Sequence, residues 1–198
     1  MLTPSGWAIL NGDDPNVRWM ADQTCAQVVT FGLAESNHIR ASDVTLDWPN
    51  GTLFKLHADG EIRQVRIRLF GRHMVYPILA AVAVSLAEGF TLDQVIPALE
   101  SLPPTPGRLE VVKLGNGTFL LRDDYKSTLE TIDTALDVLS QIPAQRRIVV
   151  LGDVSEPPGM QGPIYRQIGE RLASIVSRAV FLGGNFRRYA TGASRGGL

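Results

Sequence analysis

Cysteine is nearly missing from this chain: Cys25 is the only one in 198 residues. A single thiol excludes an internal disulfide and fits a reducing, cytoplasmic setting. As a small hydrophobe it is expected in a core or interface. Lysine is also scarce, with Lys55, Lys113 and Lys126 alone, and none follows a glycine. The three histidines, His38, His57 and His73, are too scattered for a metal-ligand set, so no metal site is expected. Excess charge of one sign is absent as well: 19 basic residues face 20 acidic ones, for a net charge of −1. With no basic run, composition gives no support to nucleic-acid or anionic-membrane binding. The longest apolar run, Ile78–Ala87, is too short to cross a bilayer and is interrupted by Ser85, so membrane insertion is not expected. No charged segment leading into an apolar one opens the chain, which predicts no secretion signal.

What is present is ordinary for a globular protein that buries a core: 44% hydrophobic and 20% charged residues. The length suits one large domain or two small ones. Trp7–Leu10 reads as an apolar strand that ends in Asn11-Gly12-Asp13-Asp14-Pro15, a turn. Asn16–Gln23 reads as a short helix with Val17, Met20 and Ala21 inward, and Gln27–Phe31 as a second strand. A strand–helix–strand unit implies parallel pairing. From Ser42 to Phe70 the pattern changes to alternation, with turns at Pro49-Asn50-Gly51 and Ala58-Asp59-Gly60, which predicts an antiparallel meander with one wet face. Met74–Glu88 is apolar nearly all round and is expected to be a buried helix, closed by Gly89. Thr91 caps a second helix, Leu92–Leu102.

Leu102-Pro103-Pro104-Thr105-Pro106-Gly107 is the clearest linker, stiff because of its three prolines, and the domain boundary is placed there: 1–105 and 106–198. Beyond it, strands at Leu109–Lys113, Thr118–Leu121, Ile148–Leu151 and Ala179–Leu182 frame helices starting near Leu129 and Ile164. The last three strands are expected to form a small parallel sheet whose ends carry Asp123/Asp124, Asp153 and Asn185 on one edge. The tail from Ala190 reads as small, polar and frayed.

The polar chemistry concentrates in Leu120–Thr128. A strand's carboxyl end meets a helix whose amino end has the form of a capping box, Ser127 with Glu130. In open α/β sheets ligands bind at such an edge, and helix amino ends favour phosphate oxygens. On residue type alone there are plain structural readings too. Asp13-Asp14 before Pro15 suits a turn and helix cap. His73 suits a helix start. Arg108 fits an ion pair as well as a phosphate contact. Lys126 beside two acids reads as a surface pair, and Glu156 as solvated.

Taken together, Ala8–Pro15, Gly71-Arg72-His73 with Leu79–Ala83, Gly107-Arg108, Asp123-Asp124-Tyr125-Lys126-Ser127 and Val149–Asp153 form an ordered series that resembles the Mur ligases. These are ATP-dependent enzymes that add amino acids to the peptidoglycan precursor. Within the family the series looks most like the branch that attaches a D-alanyl-D-alanine dipeptide. The resemblance implies an α/β architecture: the end of a central ATPase domain, comprising strand–helix–strand, antiparallel meander and two helices, then a Rossmann-like C-terminal domain with a parallel sheet. It implies ATP and Mg as cofactors, and a UDP-muramoyl-peptide plus an amino acid or dipeptide as substrates. By the same resemblance Asn11 and His73 lie near the adenine, Arg108 and Asp124 hold the ribose and phosphates, and Lys126 approaches the γ-phosphate and acyl phosphate.

The departures are equally specific. The family's phosphate loop needs Gly-Lys-Thr/Ser, and no Gly-Lys pair occurs here. The family's His-Asn-x-x-Asn is His73-Met74-Val75-Tyr76-Pro77, so both amides are replaced. The dipeptide-adding branch's Tyr-Asn-Ala-Asn-Pro is Tyr125-Lys126-Ser127-Thr128-Leu129. Two functions follow: part of a Mur-type amide ligase that is inactive alone, or a non-catalytic Mur-ligase-like module that binds a nucleotide or a partner.

Overall fold

The computed structural model describes residues 2–198 and divides into two compact units, one ending at Pro103 and one beginning at Pro104. In the first unit, β1 (Trp7–Asn11) pairs in parallel with β2 (Gln27–Gly32), Trp7 opposite Gln27 and Asn11 opposite Phe31. The crossover is α1 (Pro15–Arg18), which runs into a 3-10 turn over Trp19–Gln23. The Asp14 carboxylate caps it by accepting from the Asn16 N–H at 2.8 Å. Met20 does not point inward as expected; it is 50% exposed. The tighter three-residue winding breaks the 3.6-residue stripe that would have gathered Val17, Met20 and Ala21 on one side.

β3 (Ile39–Asp47) continues the same sheet in parallel with β2, and β4 (Gly51–Ala58) and β5 (Glu61–Ile67) follow antiparallel, so five strands lie in sequence order. The register slips between Ser42 and Thr45, where Asp43 adopts φ 52°. That bulge changes the inward parity from Ile39 and Ala41 to Val44, which packs on the core. Gly51, at φ 139°, has no alternative residue: a Cβ there would sit 1.8 Å from the Ile67 carbonyl oxygen.

α2 (Val75–Ala87) buries Val75, Ile78, Leu79, Val82 and Ala83 against the sheet. It is not buried all round, because Pro77, Ala81 and Val84 face outward, with Val84 49% exposed. α3 (Leu92–Ser101) starts at Thr91, whose N–H donates to Gln94 Oε1 at 2.9 Å, and adds Leu92, Val95 and Leu99 to the core. Cys25 is exposed rather than in the core.

In the second unit β6 (Glu110–Lys113) and β7 (Phe119–Arg122) form an antiparallel hairpin, and β8 (Ile148–Leu151) and β9 (Arg178–Phe181) a parallel pair. The expected three-stranded parallel sheet is therefore split. The Gly115–Gly117 turn lets β6 fold straight back onto β7, a closure of low entropic cost compared with a helical crossover. α4 (Leu129–Gln141), α5 (Gln161–Ala173) and α6 (Phe186–Gly196) enclose a core of Ile132, Leu136, Tyr165, Ile168, Leu172 and Tyr189.

The cap of α4 is Thr128, one residue later than expected. Its Oγ1 accepts from the Thr131 N–H at 3.4 Å, while the Ser127 carbonyl accepts from Ser155 N–H at 2.6 Å. The tail that reads as frayed is the helix α6. Its glycines explain it: a Cβ on Gly192 would lie 2.0 Å from the Arg166 carbonyl oxygen, and one on Gly169 would lie 2.1 Å from that of Tyr189. α5 and α6 thus touch backbone to backbone. Small residues four apart on both helices (Gly169 and Ala173, Gly192 and Gly196) give that contact its helical spacing.

Candidate functional site

Leucine and phenylalanine in β7 set the strand, and the polar run after it fans out. Gly107 (φ 68°) and Leu109 (φ 46°) wrap the preceding segment around this run. The Tyr125 N–H donates to the Gly107 carbonyl at 3.2 Å, and the Leu109 N–H donates to Asp123 Oδ1 at 3.2 Å. A Cβ at Gly107 would meet Asp124 Oδ1 at 2.7 Å, so glycine permits the approach. As a result the Arg108 guanidinium lies 4.5 Å from the centre of the Tyr125 ring, which is itself 73% exposed.

The two adjacent carboxylates therefore do different work. Asp123 supports backbone, whereas Asp124 pairs with Arg122 at 3.2 Å and stays largely in solvent. Arg122 also reaches Glu110 at 3.2 Å, and these carboxylates hold its pKa above the usual value, its hydrogen bond to Asp124 contributing most. Lys126 pairs with neither neighbouring acid. Its Nζ lies 3.2 Å from both Oε1 and Oε2 of Glu156, thirty residues on. Arg108 thus lies over the ring of Tyr125, the residue between Asp124 and Lys126 in the run that leads into α4.

The next strand end is fixed by a different carboxylate. Asp153 accepts from the N–H groups of Gly184 at 2.8 Å and Asn185 at 3.1 Å, ahead of α6. Desolvation pushes its pKa up, but these hydrogen bonds prevail and hold it below the ordinary carboxylate range. Tyrosines grip the residues on either side: Tyr189 OH donates to the Gly152 carbonyl at 2.9 Å, and Tyr165 OH accepts from the Val154 N–H at 3.1 Å. Their rings meet edge to face, 4.7 Å between centroids.

Asn11 and His73 belong to the first unit. Asn11 Oδ1 accepts from the Asp13 N–H at 3.1 Å, which shapes the turn after β1. His73 sits in the 3-10 turn Arg72–Met74 that leads into α2. Asp13, two residues after Asn11, accepts from Leu33 N–H (2.6 Å), Ala34 N–H (3.2 Å), Asn37 Nδ2 (2.7 Å) and Tyr76 OH (2.9 Å). Partial burial raises its pKa, yet the hydrogen bonds outweigh that and the net position is lowered. The same desolvation and the Asp13 charge push the Tyr76 hydroxyl up.

The sequence pointed to a turn and helix cap for Asp13, not to its four donors; Glu156, expected to be solvated, is 81% exposed and also faces Lys126. The missed signal is the Gly-Asp dipeptide that follows both β1 and β8, and the glycine that ends or follows each partner strand, Gly32 and Gly183. Among the described residues no three of His, Cys, Asp and Glu come together as a candidate metal site. Among the described residues no helix is long and apolar enough to cross a membrane.

Residues 1–85 match the family model of the Mur ligase middle domain, and residues 107–194 that of the Mur ligase glutamate ligase domain. The chain belongs to the Mur ligase family. This Mur ligase chain is 32% identical over 181 residues to the UDP-N-acetylmuramoyl-L-alanyl-D-glutamate–2,6-diaminopimelate ligase of Geobacillus kaustophilus, which covers 91% of the chain and 36% of that protein. It is 34% identical over 186 residues to the UDP-N-acetylmuramoyl-tripeptide–D-alanyl-D-alanine ligase of Mycobacterium tuberculosis, over 90% of the chain and 36% of that protein. The solved structure of MurF from Acinetobacter baumannii superposes with a TM-score of 0.84 at 26% identity, covering 98% of the chain and 42% of its own. The chain thus spans about a third of the length of these curated relatives. Relatives of two substrate types match at near-equal identity, so likeness alone does not select the dipeptide-adding branch.

Proposed function

We propose that this chain is part of an ATP-dependent, ADP-forming ligase that joins an amino acid or dipeptide to a UDP-N-acetylmuramoyl-peptide in peptidoglycan synthesis. Residues 1–105 would close the middle domain and 106–198 form the C-terminal one. In this reading a substrate carboxylate attacks the γ-phosphorus of ATP to give an acyl phosphate and ADP. The incoming amine then adds to the acyl carbon and expels phosphate.

The observation that carries this reading is Arg108 seated over Tyr125, between Asp124 and Lys126 in the run that leads into α4, in a chain of this family. ATP supplies the phosphoryl group; the chain's own residues bind and orient. The Lys126 ammonium and the unpaired N–H groups of α4 suit charge growing on transferring phosphoryl oxygens. Arg108, seated over the Tyr125 ring, offers donors to phosphate, and Asp124 offers acceptors to ribose hydroxyls. Asn11 and His73 remain assigned to the adenine side. The donors here suit oxygen anions.

The non-catalytic alternative draws support from Met74 and Pro77, which stand where the family carries amides. An ATP titration of the pure chain separates the roles. Binding in the millimolar range, weakened about five- to tenfold by Arg108→Ala or Lys126→Ala, is expected if these residues meet phosphate. Binding unchanged by both substitutions would remove the site from contention. No turnover of ATP by the chain alone is expected, because nothing in it grips phosphates in the Gly-Lys manner. Magnesium-dependent hydrolysis that disappears in Lys126→Ala would refute that expectation.

A further inference from the structure

Glu156 has no assigned role, yet the backbone just before it is fixed. Its own backbone adopts φ 51°, a region that residues with a Cβ seldom occupy. Observed strain of this kind is a reason to ask what the side chain does. The loop that carries it is tethered just upstream: Val154 N–H to Tyr165 OH at 3.1 Å, and Ser155 N–H to the Ser127 carbonyl at 2.6 Å. The second tether joins the loop after β8 to the loop after β7. It sets Glu156 opposite Lys126.

The pair itself is loose. Both oxygens lie 3.2 Å from Nζ, longer than the 2.7–2.9 Å of a tight charge-assisted bond. The side chains are 43% and 81% exposed, so water and salt screen the attraction. Such a contact biases where the ammonium sits without holding it against a stronger anion. A phosphoryl group with up to two negative charges, at the amino end of a helix, is that stronger anion.

We propose that Glu156 is a positioning residue for Lys126: it parks the ammonium beside α4 and yields it to an incoming phosphoryl group. This rests on the reading that Lys126 meets phosphoryl oxygens. The parking keeps a long, flexible side chain near its point of use, and it also makes Glu156 a competitor of the anion. Loss of the carboxylate therefore tightens anion binding, while the side chain becomes less ordered.

The test uses the whole 198-residue chain and inorganic tripolyphosphate as probe. With three lysines in all, the Cε resonances are few, and Lys126→Met assigns the relevant one. Glu156→Gln is expected to shift and narrow the Lys126 resonance and to tighten tripolyphosphate binding about threefold, the size an exposed pair allows. Glu156→Asp is expected to restore most of the wild-type behaviour. In a Lys126→Met background Glu156→Gln is expected to change affinity little. An unmoved Lys126 resonance overturns the proposal, whatever the affinity does. The same gain in the Lys126→Met background also overturns it, because the effect is then general electrostatics. If the resonance shifts but Lys126→Met leaves tripolyphosphate affinity unchanged, the phosphate role of Lys126 fails first, and the positioning role falls with it.

Discussion

Asp13 and Asp153 occupy equivalent places in the two units and are held with unequal strength. Each follows a glycine at the carboxyl end of a parallel strand. Each accepts from two consecutive backbone N–H groups just past the neighbouring strand, Leu33 and Ala34 in one case, Gly184 and Asn185 in the other. Each needs a glycine opposite it: a Cβ on Gly32 would lie 2.5 Å from Asp13 Cγ, and one on Gly183 2.3 Å from Asp153 Oδ2. The difference lies in the surroundings. Asp13 is half-buried and gains Asn37 and Tyr76 as donors, whereas Asp153 is exposed and depends on backbone donors and the amino end of α6. One backbone device therefore serves as a core element in the first unit and as a surface cap in the second. The context of burial, not the motif, sets its weight.

Substitution should expose that inequality. Asp13→Ala leaves four donors without their acceptor and is expected to cost about 3 kcal/mol. The three tryptophans, Trp7, Trp19 and Trp48, all lie in the first unit, so urea unfolding followed by their fluorescence reads this directly. The stabilisation has a defined pH window. Because the folded pKa of Asp13 is lowered, its contribution is complete above the unfolded value near 4 and is lost as pH falls through the folded value. The gap between wild type and Asp13→Ala should stay constant from about pH 7 to 5 and close below about pH 4. Asp153→Ala is expected to cost only about 1 kcal/mol, the scale of a helix cap, read as faster amide exchange at the start of α6. An equal cost at both positions would erase the comparison. Tyr76→Phe should likewise cost about 1 kcal/mol in the wild type and close to nothing in Asp13→Ala, since the hydroxyl then has no carboxylate to lose.

Much of this was readable from the chain. The Trp7–Phe31 strand–helix–strand unit, the turns at Asn50-Gly51 and Asp59-Gly60, and the Thr91 helix start follow from local rules that act within a few residues. What escaped reading depends on contacts distant in sequence. Phe31 pairs with Ile39 and so fuses the first strands and the meander into one sheet. β7 pairs with β6, twelve residues earlier at Glu110–Arg122, and not with β8. In α6, glycine has low intrinsic helix propensity, and only the surface of α5 turns Gly192 and Gly196 into an advantage. The candidate site divided the same way. Arg108, Asp124 and Lys126 stood out by residue type and by resemblance. Glu156 did not, because nothing in a Pro/Gly-rich loop tells which distant side chain it will face.

The tyrosines on either side of Asp153 have a mechanical meaning. Tyr165 comes from α5 and Tyr189 from α6, and those helices meet without an intervening layer of side chains that could slide. A joint of that kind behaves as a welded bracket. It clamps Gly152 and Val154, and the Ser155 tether adds a third fixing point. Slack in the segment that follows can begin only beyond Ser155. Glu156 is the first residue with play, a short lever mounted on a rigid post, and the arc it sweeps starts at Lys126.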